Sequence, residues 1–199
     1  MLGPDHPDTQ RNVNDLAACL DELDDAEAAL PLYRRALGGF ERELGPDHPQ
    51  TLSGVINLAA CLRALGDAAA ALPLDRRALA VFERELGPDH PNTLASVNNL
   101  AGCLQMLGDA AAALPLYRRA LEGNEHVLGP EHPDTLISVG NLAYCLETLG
   151  DAAAVALFRR ALDQMATVSP FRTVTVFPPL MPQLIEWPPV VPFWMAAKP

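Results

Sequence analysis

The sequence predicts an all-α solenoid of stacked helix pairs, and three observations lead there. Leu-Gly-Pro-Asp-His-Pro occurs at 2–7, 44–49 and 86–91, and again at 128–133 with Glu131 in place of Asp, each copy 42 residues after the last. The rest of the unit keeps that phase: Leu-Ala at 16–17, 58–59, 100–101 and 142–143, and a cysteine at 19, 61, 103 and 145. Apolar residues within each half-unit are spaced three or four apart, the period of one helical face. A fixed interval of this length marks identical supersecondary units that bury their apolar faces only by stacking.

Each unit divides into two helices. From Thr51 to Leu65 the apolar positions are Leu52, Val55, Leu58, Ala59, Leu62 and Leu65. Pro49 suits the first helical turn, where its missing N–H is not needed. Gly66 supplies a left-handed stop and Asp67 a cap for the next helix, which runs from about Ala68 through Leu72, Leu79 and Phe82 to Leu86 and ends at Gly87-Pro88. Helices of roughly 15–19 residues, about 23–28 Å each, account for the interval. Pro31, Pro73 and Pro115 fall some six residues into the second helix, where proline removes a backbone hydrogen bond; recurring at one phase, they predict a shared bend rather than a break. The units are expected at 2–43, 44–85, 86–127 and 128–165. The fourth is one residue short and lacks the proline.

The pattern Asn57-Leu58-Ala59, Leu62, Gly66-Asp67, Ala71 and Ala78-Leu79 resembles the tetratricopeptide repeat. The 42-residue length, the Asn-Leu-Ala string and Leu-Pro-Leu-Tyr at 114–117 are similar to the long repeats of kinesin light chains, and closer still to bacterial tetratricopeptide arrays often attached to signalling ATPases. Asp75 departs from this pattern, standing where Tyr33 and Tyr117 hold an aromatic ring. The resemblance covers about four fifths of the chain. It implies a right-handed superhelix whose first helices line a concave groove that binds a protein or peptide segment. Carried over by offset from each Leu-Ala, the groove positions are Arg11, Asn14, Ala18, Asp21 and Glu22; Ser53, Ile56, Ala60, Arg63 and Ala64; Ala95, Asn98, Gly102, Gln105 and Met106; and Ile137, Gly140, Tyr144, Glu147 and Thr148.

These positions vary between units while the packing positions do not, as expected of a fixed scaffold with a tuned groove. Asn14 and Asn98 are expected to bond a peptide backbone, Arg11 and Arg63 to meet its acidic groups, and Ile56, Met106 and Tyr144 to offer apolar contact. On this reading Asn98→Ala with Arg63→Ala weakens partner binding and leaves melting unchanged. Asn57, Asn99 and Asn141 are expected to make hydrogen bonds between helices. The Arg pairs 34–35, 76–77, 118–119 and 159–160 are expected on the outer face, bonding acidic loops or facing water.

Catalysis and metal binding are not expected. A repeat spreads like groups along a line, whereas chemistry needs unlike groups at one point. No phosphate-cradling glycine loop, nucleophile elbow or His-Glu-x-x-His is present. Equivalent cysteines one or more helix layers of about 10 Å apart exceed the roughly 7 Å limit of a disulfide. The cysteines are therefore expected as buried thiols, which implies a reducing, cytoplasmic setting, and the histidines as loop-fixing groups. A net charge of −11 with Lys198 the single lysine argues against nucleic acid and allows a preference for basic partner segments. No cofactor is implied.

From Ser169 onward the composition changes: eight of the nineteen prolines and both tryptophans lie in the last 31 residues. No proline-free apolar run there approaches the roughly 20 residues of a spanning helix, so a membrane anchor is not expected. An irregular tail at 169–199 is. The alternatives to groove binding are a structural or self-associating spacer stacked end to end, and the sensor arm of a larger signalling ATPase.

Overall fold

A computed structural model describes residues 6–168; the expectation for the tail at 169–199 falls outside them. The described residues form eight helices: α1 (Pro7–Glu22), α2 (Ala26–Leu44), α3 (Pro49–Ala64), α4 (Ala68–Leu86), α5 (Pro91–Met106), α6 (Ala110–Leu128), α7 (Pro133–Thr148) and α8 (Ala153–Val168). Each helix packs on the next in sequence, giving an all-α solenoid of four helix pairs. The pairs are antiparallel neighbours joined by short loops, as the sequence period requires.

The recurrent motif residues make the helix ends. His6, His48, His90 and His132 are the N-caps of the four first helices, each Nδ1 accepting the backbone N–H two residues on, from Asp8, Gln50, Asn92 and Asp134 at 3.1–3.2 Å. An N-cap acceptor satisfies one of the N–H groups that a helix start leaves open. Thr51, Thr93 and Thr135, fully buried, donate from Oγ1 to the carbonyls of Gly45, Gly87 and Gly129 at 2.8 Å. These bonds tie each loop back to the helix that follows it. The second helices are capped by Asp25, Asp67, Asp109 and Asp151. Gly66, Gly108 and Gly150 stand at positive φ between the paired helices, and Asp24 takes the same left-handed geometry in the first pair at φ 59°, a conformation Asp tolerates better than bulkier residues.

The prolines at 31, 73 and 115 do not interrupt their helices. All three are exposed, and so are the residues four positions earlier, Glu27, Ala69 and Ala111. Their exposed positions leave room for water to reach the carbonyl that lacks a donor, which lowers the proline's cost.

Three of the four cysteines are fully buried core thiols. Cys61, Cys103 and Cys145 donate from Sγ to the carbonyls of Ala26, Ala68 and Ala110, the first residues of the preceding pair's second helix, at 3.1–3.3 Å. Cys19 contradicts the expectation that all four are buried: it is exposed, because it lies on the end face of the stack. Burial pushes the Cys103 thiol up to about 11, and the neighbouring Asp75 carboxylate adds to the shift; burial raises Cys61 and Cys145 as well. Thiolate is the reactive form. Native protein with iodoacetamide at mildly alkaline pH is therefore expected to lose Cys19 first, with the other three alkylated only in denaturant. Peptide mass spectrometry that finds all four modified at one rate contradicts the buried seams.

Candidate functional site

The first helices form the inner layer. α1 touches α3 and α5 touches α7, a closer approach than the second helices make to one another, so the first helices occupy the shorter side of the curve. Contact between α3 and α5 is looser than at those two neighbours. A cleft of about 820 Å³ opens there, lined by Ser53 and Ile56 of α3, Ala95 and Asn99 of α5, and Phe82 and Glu85 of α4. Three of the groove positions expected from sequence, Ser53, Ile56 and Ala95, thus share one concavity. Its rim carries Arg84, which is held by Asp47 and Glu85 at 2.8 Å each.

Other expected groove residues serve the seams between pairs. Asn57 donates from Nδ2 to Oδ1 of Asn14 at 3.2 Å. Asn98 donates to the Ser138 hydroxyl at 2.8 Å, which also accepts from buried Asn124 at 2.9 Å and donates to the Asp134 carbonyl at 3.0 Å. Gln105 reaches Thr148 Oγ1 at 3.4 Å. These amides cross-link adjacent first helices, so the variable inner residues are not merely solvated. The Oδ1 of Asn98 and the Oε1 of Gln105 are buried with no protein donor. Met106 and Ile137 stay exposed on the inner layer, Glu147 is exposed, and Tyr144 is half-buried.

Neither expected groove arginine is free. Arg11 pairs with Asp8 at 3.1 Å on the surface. Arg63 Nη1 grips both carboxylate oxygens of Asp75 at 2.7 and 2.6 Å, with the side chains only 16% and 3% exposed. Asp75 occupies the phase of Tyr33 and Tyr117, and Arg63 the phase of Asp21 and Gln105. In the first pair the arrangement is inverted: Asp21 lies against the Tyr33 hydroxyl, which burial and that carboxylate together push upward. Tyr117 is raised by burial and restrained by the nearby Arg63 cation. The sequence marks Asp75 as a departure without naming its partner. The legible signal is that two positions twelve apart change together between units.

In three of the four arginine pairs the second arginine bonds a glutamate of the preceding pair's second helix. Arg77 reaches back to Glu41 at 2.5 Å and to the Pro46 carbonyl at 2.8 Å. Arg119 does the same with Glu83 at 2.6 Å and Pro88 at 3.4 Å, and Arg160 pairs with Glu125. Among the described residues no group of three or more His, Cys, Asp or Glu is placed to hold a metal ion. Within the same residues no helix is long and apolar enough to cross a membrane.

A helix pair repeated four times, with constant seams and an inner layer of differing side chains, is the geometry of a known repeat. The tetratricopeptide repeat family model matches residues 52–126 and 93–166, and a second model of the same description matches 13–50. The chain belongs to the tetratricopeptide repeat family. Tetratricopeptide repeat arrays are in general protein–protein interaction scaffolds rather than enzymes. No curated protein matches the chain. Among solved structures, a Podosopora anserina protein assigned as a kinesin light chain, with nearly identical TPR-like repeats, is 25% identical at a TM-score of 0.70, over 83% of this chain and 79% of that one. BtubC (BKLC) from P. vanneervenii is 21% identical at a TM-score of 0.72, over 92% of this chain and 72% of its own, which is a likeness of fold. The tetratricopeptide reading made from sequence, including its kinesin-light-chain character, is thereby borne out.

Proposed function

We propose that the chain is a non-enzymatic scaffold that takes a segment of a partner protein along the inner layer of first helices, anchored in the cleft between α3 and α5. The observation that carries this reading is the cleft itself, which is lined by three positions that vary between units. Ile56 and Phe82 supply apolar contact there, and Met106 and Tyr144 extend it towards the last pair. Concave, mostly apolar sites with a few polar groups are where ligands lodge.

The charge of the segment follows from the pairing. Arg11, Arg63 and Arg84 each already hold a carboxylate, so they offer little to an acidic partner. Glu22 and Glu147 remain exposed on the inner layer, on a chain of net charge −11. The segment that fits has an apolar anchor flanked by Lys or Arg, which revises the expectation that Arg11 and Arg63 meet acidic groups.

Selection of a displayed random-peptide library on the full-length chain tests this. Enriched peptides are expected to carry an aliphatic or aromatic residue beside basic ones, and to bind less well as salt rises. Ile56→Asp is expected to weaken them at least about tenfold, the loss of one central anchor, with helicity unchanged. Enrichment of acidic peptides, or binding indifferent to Ile56→Asp, contradicts the proposal.

A further inference from the structure

Among the described residues, both end faces of the stack expose the side chains that the internal seams bury. On α1, Leu16, Cys19 and the capping Leu23 lie at spacings of three and four, one stripe of a helix. Leu16 is 53% exposed, whereas its counterparts Leu58, Leu100 and Leu142 are 6–8% exposed. On α8, Val155, Phe158 and Leu162 have the same spacing. Leu162 is 45% exposed, and its counterparts Leu37, Leu79 and Leu121 are 7–8% exposed.

Inside the chain these two stripes are each other's partners. Tyr33 and Leu37 pack in one cluster with Leu58 and Cys61, Leu79 with Leu100, and Tyr117 and Leu121 with Leu142 and Cys145. The same contact is made at three successive seams, and each end of the described stack presents one half of it. The charges at the two ends are complementary as well. Arg118 lies close enough to Cys145 to act on it electrostatically, and Arg159 is its equivalent on α8. Asp15 replaces the asparagine found at 57, 99 and 141, one helical turn before the cysteine position. Asp15 and Arg159 are both exposed.

We infer that the α8 face of one molecule docks on the α1 face of a second copy, continuing the solenoid head to tail through the apolar stripes that pair at each internal seam. This goes beyond the groove reading, since it concerns the two ends of the described stack and not the cleft between α3 and α5. The junction lacks one internal ion pair, because the residue at the phase of Glu125 is Ala166. It is therefore weaker than an internal seam and reversible. Such a contact uses unlike faces and does not close on itself, so it builds open chains rather than a defined dimer.

Sedimentation velocity of the full-length chain across micromolar concentrations reads this directly. The weight-average mass is expected to climb past that of a dimer. Leu16→Glu and Leu162→Glu, both at exposed positions, are each expected to be monomeric with unchanged helicity, and their equimolar mixture to give a dimer that grows no further. A chain that stays monomeric throughout overturns the inference. So does a Leu16→Glu or Leu162→Glu variant that still associates alone.

Discussion

Arg63→Ala is expected to destabilise the second helix pair by about 3–5 kcal/mol, the range for breaking a buried ion pair by removing one partner. Asp75 is 3% exposed, and its carboxylate oxygens are held by one guanidinium nitrogen. Without that cation the Asp75 carboxyl is left unpaired in the core beside Cys103, which is costly whether it stays charged or takes up a proton. The sequence alone leads to the opposite expectation, that Arg63→Ala with Asn98→Ala leaves melting unchanged; the pairing overturns it. Asp75→Tyr added to Arg63→Ala restores the aromatic that Tyr33 and Tyr117 supply at this phase and removes the unpaired carboxyl. The double variant is therefore expected to recover most of the loss. Urea unfolding of the singles and the double makes the comparison, with hydrogen exchange locating the loss in α3 and α4, since repeat arrays unfold by neighbouring units. Additive losses contradict the pairing.

Gly123→Val is expected to cost about 1–3 kcal/mol, the usual range for overpacking a filled core. A Cβ at Gly123 stands 2.5 Å from Leu94 Cδ2 and 2.8 Å from its Cδ1, and Leu94 is fully buried. Helix propensity alone pulls the other way by less than about 1 kcal/mol. Gly39 has the same phase, and its Cβ runs into the buried Gln10 at 2.4 Å. The second pair carries Val81 at this phase against Leu52, and it is beside this pair that the inner layer opens into the cleft. Thermal melts of Gly123→Val alone and with Leu94→Ala check the account: the single falls and the double regains part of the loss. A more stable single variant contradicts it.

The scaffold was legible because it rests on local rules. Stops at glycine, aspartate caps and apolar periodicity place α4 at its observed bounds and α3 within two residues, Pro49–Ala64 against the expected Thr51–Leu65. The histidines before proline, expected from sequence to fix the loops, are the N-caps of the first helices. The inner layer was legible only as a set of positions. That Asn14 meets Asn57, 43 residues on, or that Asn98 meets Ser138, 40 residues on, depends on the angle between adjacent pairs, which no local pattern encodes. Cys19 failed for a related reason: repeat phase predicts burial only where a neighbouring unit packs. Offset alone puts Arg63 in the groove, but a single departure from the repeat, Asp75, lies within its reach and holds it.

Hydrogen–deuterium exchange on the full-length chain, with and without a selected peptide, tests the central claim most directly. Added protection is expected in α3 and α5 along the segments bearing Ser53, Ile56 and Ala95, with the outer faces of α4 and α6 unchanged. Protection confined to the outer helices, or absent from α3 and α5 at saturating peptide, contradicts the assignment of the inner layer as the binding surface.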